Sequence, residues 1–368
     1  MSSYIEPRWE NKHAPCGGNN GCPAFTDIAA SLHAVAIDDY KLAWEIMMET
    51  HPLRSTLGRV CYSFCEQPCN RGDFDSPIAI KALEAVIGDV GFDPSFRPKL
   101  KKRVGKKVAI IGAGPAGLAA GWFLNIHGFD VTILERESKP GGMLEYGIPS
   151  YRLPKDILKR ETDLIIDSGI GIRYNEDIDL AKLEKFVSDH KYDALLVASG
   201  SSNERPATFK GSTGALSGIK LLKDINQAKA NRTTLKKKDV IVIGGGNVAM
   251  DVSRSAIRLG AKSVTIVYRR TRELMPAFPI EIEEAIDEGV KFEFLRAPTS
   301  YSNGNLQVEI MQLEDIDSSG RQRPVGTGKH TKLKGDEIIV AIGQVPAIDI
   351  ATLPSNIYVA GDVVPTSK

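Results

Sequence analysis

No run of about 18 consecutive apolar residues occurs in this 368-residue sequence, so nothing in it predicts a membrane-spanning helix. The nearest approach, residues 108–124, is interrupted by glycines that have a role of their own. Charge of one sign is missing too. Lys and Arg number 47, Asp and Glu 46, for a net charge of +1, and no basic run alternates with aromatics. That removes the field expected of a protein that binds nucleic acid or an anionic membrane surface. Cysteine is absent after Cys69, and no C-x-x-C pair occurs anywhere. Disulfides spread for stability are therefore not expected. Disulfide reduction of the thioredoxin-reductase kind is disfavoured by the same gap. The opening residues, MSSYIEPRWENKH, carry charges and no apolar core, so they do not read as a secretory signal, and a cytoplasmic location is expected. His13, His127, His190 and His330 are scattered, and no acid–base or nucleophilic residue is assigned.

The length predicts two or three domains. The informative stretch is VAIIGAGPAGLAAGWFLNIHGFDVTILE, residues 108–135. Its pattern predicts strand, glycine turn, helix and strand. Gly112, Gly114 and Gly117 form G-x-G-x-x-G. In such a unit the first glycine makes the tight turn, the second admits a pyrophosphate, and the third lets helix pack on strand. Glu135 stands 18 residues past Gly117, where a carboxylate accepts from a ribose hydroxyl.

The pattern returns at residues 239–270, DVIVIGGGNVAMDVSRSAIRLGAKSVTIVYRR, with Gly244, Gly246 and Ala249 in the three places. This second unit ends in Tyr268-Arg269-Arg270 rather than in an acid. An acid there suits a free 2′-hydroxyl, whereas arginines suit a 2′-phosphate through charge-assisted bonds. The contrast assigns FAD to the first unit and NADPH to the second, with NADH left open.

Ahead of both units lie Cys16, Cys22, Cys61, Cys65 and Cys69, among residues of helical pattern at 24–35, 39–50 and 78–90. Two cysteine groups brought together by helices suit a thiolate-held iron–sulfur cluster. Zinc is the alternative, although C-x3-C-x3-C lacks the usual knuckle spacing. Residues 92–107, rich in Pro and Lys, read as a solvated linker. Residues 138–154, SKPGGMLEYGIPSYRLP, read as a loop that can approach a cofactor or simply cover the surface. YDALLVASG at 192–200 and NIYVAGD at 356–362 read as strands ending in small residues.

Together these residues resemble the glutamate synthase small (β) subunit family of FAD-, NADPH- and iron–sulfur-dependent oxidoreductases. That family takes in the N-terminal part of dihydropyrimidine dehydrogenase and the large subunit of NADH-dependent ferredoxin:NADP oxidoreductase. The motifs that carry the resemblance run nearly the whole chain: GRVCYSFCEQPCNRG (58–72), GAGPAGLAA (112–120), PGGMLEYGIPSYRLP (140–154), GGGNVAMD (244–251), YRRTRELMP (268–276), EEAIDEGVKF (283–292) and YVAGD (358–362). The resemblance implies FAD contacts at Gly112, Gly114, Pro115, Gly117, Glu135, Arg136, Gly142 and Asp362. It implies NADPH contacts at Gly244, Gly246, Asn247, Arg269 and Arg270. For the metal it implies a [4Fe–4S] centre on Cys22, Cys61, Cys65 and Glu84, with Cys16 and Cys69 left for a second centre.

Two departures follow. The fuller family form has four cysteines in the first group, where this chain has Cys16 and Cys22, so one cluster is expected rather than two. Family members also continue beyond the Gly-Asp into a helix, so the C-terminal end reads as truncated: either the chain is a fragment of a longer one or residues are missing from it.

The implied fold class is α/β, with two Rossmann-like dinucleotide-binding domains, an FAD domain with an inserted NAD(P) domain, preceded by a small α-helical iron–sulfur domain. The expected bounds are 1–100 for the helical domain, 104–225 and 338–368 for the FAD domain, and 226–337 for the NAD(P)H domain. The implied function is an NAD(P)H:acceptor oxidoreductase, the electron-input subunit of a hetero-oligomer, serving a redox partner protein. The alternative is a non-enzymatic electron-relay or scaffold subunit.

Overall fold

A computed structural model describes residues 15–17, 21–201, 203–229, 235–316, 320–346 and 353–364. Its described parts fall into two units. One comprises 1–144, 150–199 and 353–361, and the other 145–149, 200–352 and 362–368.

The first unit begins with four helices, α1 (Ile28–Ala36), α2 (Tyr40–Met48), α3 (Arg54–Val60) and α4 (Ile80–Val90). Asp27 and Asp39 start the first two by accepting from the N–H groups of Ala30 (3.0 Å) and Leu42 (2.9 Å), donors that would otherwise be orphaned. Glycine sets the closeness of α3 and α4. A Cβ on Gly88 would lie 2.6 Å from Ser55 Cα, and one on Gly58 would run into the backbone of Ala85.

The chain continues through β1 (Lys107–Ile111), α5 (Pro115–Ile126), β2 (Asp130–Glu135), the short α6 (Met143–Tyr146), α7 (Lys155–Asp167), β3 (Gly171–Tyr174), α8 (Leu183–His190) and β4 (Ala194–Val197). With the strand Ile357–Val359 these form a parallel sheet, ordered from Ile357–Val359 through β4, β1 and β2 to β3. Val108 to Ile111 are buried in succession, as a parallel strand covered on both faces requires.

The four helices and this sheet are joined by specific bonds. Glu161 of α7 is buried, and its carboxylate accepts from the N–H groups of Ser55 (2.6 Å) and Thr56 (2.9 Å) in the first turn of α3. Arg160 donates to Ser55 Oγ, the Gly88 carbonyl and Asp89, and its guanidinium lies over the Phe92 ring. Glu161→Ala leaves two buried donors without partners, and we expect a loss of about 3 kcal/mol, at about 1–3 kcal/mol per orphaned group. Urea unfolding followed by tryptophan fluorescence measures it, and an unchanged midpoint contradicts it.

Residues 92–107 are less free than a solvated linker. Phe96 packs edge-on to Trp44 and stacks on Trp122, Lys101 N–H donates to Ile126, and Val104 N–H donates to Gly128. Phe96 anchors this Pro- and Lys-rich stretch between α2 and α5.

The second unit contains β5 (Asn203–Glu204), β6 (Leu216–Ser217), α9 (Gly218–Asn226), β7 (Asp239–Ile243), α10 (Asn247–Arg258), β8 (Ser263–Tyr268), α11 (Pro279–Asp287), β9 (Lys291–Phe294), β10 (Arg296–Ser302), β11 (Asn305–Ile316), β12 (Gln322–Lys334), β13 (Glu337–Val340) and β14 (Gln344–Val345). Its parallel sheet is ordered β6-β13-β7-β8-β9. The sequence pattern assigned β6 and β13 to the FAD segments 104–225 and 338–368. Pairing puts both in the second sheet, with β13 between β6 and β7. A parallel strand is placed by its neighbours, and a four-residue apolar run carries no mark of which sheet it joins. An antiparallel sheet, β10-β11-β12, and the pair β5/β14 complete the unit.

Among the described residues no helix is long and apolar enough to cross a membrane.

Candidate functional site

In each parallel sheet the chain reverses direction across the order at one place. In the first it is between β1 and β4, in the second between β7 and β13. Ligands of open α/β sheets bind outside the carboxyl ends of the strands at such a switch point. Both glycine turns sit there.

In the first turn the three glycines do three different things. Gly112 has φ +102°, and a Cβ on it would lie 2.6 Å from the Ala198 carbonyl oxygen at the end of β4. Gly117 abuts the Gly112 carbonyl, so any side chain there drives α5 off the strand. Gly114 has nothing within 4 Å of where its Cβ would be. It caps the N-terminus of α5, ahead of Pro115 in the first turn, and leaves helix N–H groups facing open space. Glu135, at the end of β2, is buried. It accepts from Ala113 N–H (2.6 Å) and Glu137 N–H (2.8 Å), which orient the carboxylate and leave further lone pairs on both oxygens.

Other predicted residues gather at the same turn. Gly142 has φ +54°, its Cβ would lie 2.9 Å from Gly114 Cα, and Gly141 N–H donates to Ala113. The Gly141-Gly142 part of the loop thus approaches the glycine turn rather than merely covering surface. A Cβ on Gly361 would lie 2.6 Å from Ala116, so the strand Ile357–Val359 delivers the final turn to the start of α5. Asp362 follows in that turn, its carbonyl accepting from Ser201 Oγ (2.7 Å). Arg136 is half-exposed, its Nε 3.8 Å from Glu137. Ser199, in the Ser-Gly end of the 192–200 segment where backbone was expected to meet a dinucleotide, lies beside Gly112. Its Oγ is buried without a hydrogen-bond partner, a polar group that a bound dinucleotide would satisfy.

The second turn repeats the geometry. Gly244 has φ +145° and abuts the Ala341 carbonyl after β13, Gly245 lies against the Tyr268 ring, and Gly246 caps α10 with only Pro276 Cγ nearby, at 3.9 Å. Ala249, in the third position, is fully buried. Beside the turn a small cleft of about 30 Å³ is lined by Glu204, Arg205, Ile219, Val248 and residues 340–344. Asn247 does a structural job, its Oδ1 accepting from Phe278 N–H (3.0 Å) to hold the loop before α11. The two arginines part company. Arg269 is exposed at the end of β8, whereas Arg270 is 3% exposed and donates from Nε to the Gln322 carbonyl (2.8 Å).

The cysteines cluster at one end of the helical segment. Cys61 caps the C-terminus of α3, and the glycine contacts of α3 and α4 set it beside Glu84, which is buried on α4. Glu66 accepts from Lys81 N–H (2.8 Å) and so ties the Cys65 loop to the first turn of α4. Cys65, buried, joins Ile28 and Ile80 in an apolar cluster against which Cys16 and Cys22 pack. Cys22 N–H donates to the Cys16 carbonyl (2.8 Å).

Burial and mutual charge act on several of the candidate ligands. Burial first, then the charges of Glu84, Cys61 and Cys22, push the Cys65 thiol up to about 12. Cys61 is raised by burial, by Glu84 and by Cys22. Cys16 is raised by burial and then, through charge, by Cys69. Glu84 is raised by burial and held back by Arg54. Crowded, buried thiols that resist ionisation are what a cationic iron centre relieves, since metal ligation deprotonates them. Among the described residues no three of His, Cys, Asp and Glu converge enough to hold a single metal ion. A cubane spreads its ligands over four irons, so convergence on a point is not its requirement. The donor set, three thiols and a carboxylate in an apolar pocket, fits an iron–sulfur cluster better than zinc.

Comparison with known proteins agrees with this geometry. Residues 106–367 match the family described as pyridine nucleotide-disulphide oxidoreductase, and residues 10–94 match dihydropyrimidine dehydrogenase domain II, 4Fe-4S cluster. The chain is 39% identical to the beta subunit of NADP(+)-dependent formate dehydrogenase of Moorella thermoacetica, covering 94% of this chain and 53% of that one. It is 37% identical to the beta subunit of the NADPH-Fe(3+) oxidoreductase of Geobacter sulfurreducens, covering 94% and 52%. The chain thus spans about half the length of these curated relatives. It is 32% identical to the glutamate synthase [NADPH] small chain of Escherichia coli K12, covering 83% of this chain and 69% of that one. In fold it is similar to Mycobacterium tuberculosis FprA, solved in complex with NADPH, with a TM-score of 0.58 at 18% identity over 70% of this chain and 79% of that one. The chain belongs to the pyridine nucleotide-disulphide oxidoreductases, in the glutamate synthase small-chain family with a dihydropyrimidine dehydrogenase-type iron–sulfur segment, and these matches imply FAD, NAD(P)H and a [4Fe–4S] cluster as its cofactors.

Proposed function

We propose that this chain is the electron-input subunit of a cytoplasmic NADPH:acceptor oxidoreductase, handing electrons to a partner protein within a hetero-oligomer. When bound, the nicotinamide, the flavin and the cluster would supply hydride and single-electron transfer toward the partner. The protein binds, orients and spaces them.

The observation that carries the reading is the pair of switch-point turns with opposite endings, Glu135 in one and Arg269 in the other. At the first, the open Gly114 and the N–H groups of α5 admit a pyrophosphate, and the fixed Glu135 carboxylate accepts from ribose hydroxyls. Gly112, Pro115, Gly117 and Gly142 shape that turn, and Arg136 and Asp362 flank it. At the second, Gly244 and Gly246 serve a second pyrophosphate, and Arg269 meets the 2′-phosphate. Arg270 and Asn247 act on the protein, holding β12 and the loop before α11. Cys22, Cys61, Cys65 and Glu84 hold the cluster, and Cys16 and Cys69 form the separate pair. The bonds of Glu161 and Arg160 keep the cluster-bearing helices and the flavin turn in one unit. For domain bounds, we place the helical domain within 1–100, the flavin domain at 104–199 and 353–368, and the nicotinamide domain at 200–346.

The arginines provide the test. A charge-assisted bond to phosphate contributes about 1.5–3 kcal/mol, so Arg269→Ala is expected to weaken NADPH binding about tenfold to hundredfold and to leave NADH within about twofold. Arg270→Ala is expected to lower thermal stability instead. Titration calorimetry with each nucleotide checks the first, and a thermal melt checks the second. Unchanged NADPH affinity in Arg269→Ala removes that arginine from the phosphate site.

A further inference from the structure

The helical segment contains a cation that its protein partners do not fully account for. Arg54, the first residue of α3, is 1% exposed. Burying a guanidinium is costly unless anions and hydrogen bonds compensate it. Its nearest carboxylate oxygen is Glu84 Oε1, 3.8 Å from Nη1, the outer limit of an ion pair. Its remaining acceptors are neutral. Nη2 donates to the Met47 carbonyl and to Thr50 Oγ1 (2.9 Å), and Nη1 and Nη2 lie 3.4 and 3.5 Å from Thr26 Oγ1. Nε is buried with no hydrogen-bond partner. The Glu161 carboxylate accepts from Ser55 and Thr56 N–H and reaches Arg54 through charge alone.

The same side chain reaches both halves of the metal site. Thr26 Oγ1, which Arg54 touches, accepts from Cys22 Sγ at 3.5 Å. Glu84, which it faces, is the one carboxylate of the set. Burial weighs most on the guanidinium, and the charges of Glu84, Cys22, Glu161 and Cys61 all act on it in the opposite sense. A cluster held by three thiolates and a carboxylate is an anion of the size this cation lacks.

We infer that Arg54 is a positioning residue for the cluster, a buried fixed cation that holds Glu84 as the fourth ligand and biases the centre toward its reduced state. The inference rests on the assignment of the cluster to Cys22, Cys61, Cys65 and Glu84. Reduction adds one negative charge to the centre. A buried cation close by stabilises the reduced form more than the oxidised form, because low dielectric screens it little. Its removal therefore makes the centre harder to reduce.

The test uses the whole chain, purified anaerobically as wild type, Arg54→Lys and Arg54→Met, with iron, labile sulfide and the cluster midpoint potential measured by a redox titration followed by electron paramagnetic resonance. In Arg54→Met the equilibrium constant for reduction is expected to fall about tenfold, a shift of about 59 mV to more negative potential for one electron. Arg54→Lys, which keeps the charge and loses the fork, is expected to retain iron and to stay close to wild type. If Arg54→Met sheds its iron while Arg54→Lys keeps it, the charge is again what matters. Iron retained by Arg54→Met at an unchanged potential, or lost equally from both variants, overturns the inference. Absence of iron from the wild type overturns the cluster assignment first, and this inference with it.

Discussion

Cys65→Ser is expected to empty the cluster site, taking iron and labile sulfide to near zero, while flavin content and its reduction by NADPH persist. Cys65 is buried in the apolar contact with Ile28 and Ile80 and lies within electrostatic reach of Cys22, Cys61 and Glu84. Serine offers iron an alcohol of far higher pKa than a thiol, and the pocket that raises Cys65 penalises an alkoxide still more. Flavin should survive because the glycine turn and Glu135 make no use of Cys65. Electron delivery to any protein acceptor should stop. Cys69→Ser provides the control, since Cys69 lies outside the proposed ligand set and acts on Cys16 through charge. It should keep wild-type iron. Iron analysis beside a flavin spectrum reads both, and wild-type iron in Cys65→Ser would remove it from the ligand set.

The second large effect comes from one change made at two glycines. At Gly117, alanine drives a Cβ into the Gly112 carbonyl, which is backbone at a φ of +102° and cannot step aside. Overpacking of this kind costs about 1–3 kcal/mol or more, here concentrated where α5 meets β1. The expected result is a destabilised first unit with little soluble, folded protein. At Gly114, alanine enters open space, so the apoprotein should melt within about 1 °C of wild type. Its methyl group occupies the approach a pyrophosphate needs, so flavin retention should fall about a hundredfold, or about 2.7 kcal/mol. Thermal melts and flavin-to-protein ratios separate the two outcomes. A flavin-loaded Gly114→Ala, or a fully stable Gly117→Ala, contradicts this division of roles between the two glycines.

Those roles were legible in the sequence because each is local. The requirements on Gly112, Gly114 and Gly117 arise within a few residues of each glycine, and the acid or arginine at the end of the second strand is fixed by the length of one βαβ unit. What was not legible depends on partners distant in the chain. Glu161 serves Ser55 and Thr56 across more than a hundred residues. Arg54 reaches Glu84 and Thr26 from another helix. Nothing in DILKRETDLI marks one of its charges as buried. The sheet β10-β11-β12 escaped for another reason. Its strands are largely half-exposed or exposed, and β12, QRPVGTGKHTKLK, is an edge strand rich in lysine and glycine with no clean alternation. Arg269 and Arg270 look equivalent in YRRTRELMP. Only the alternation of a strand end, one side chain out and the next in, separates a ligand reader from a structural anchor.

The central claim is that one chain collects a hydride from NADPH at one turn and passes its electrons through flavin to an iron–sulfur centre. The most direct test is an anaerobic NADPH titration of the purified holo-protein, monitored by absorbance, with FAD, iron and sulfide quantified on the same sample. The account predicts one FAD and about four irons per chain, with the flavin band bleached by a stoichiometric amount of NADPH. A flavin-loaded protein whose band is bleached by neither NADPH nor NADH would contradict it.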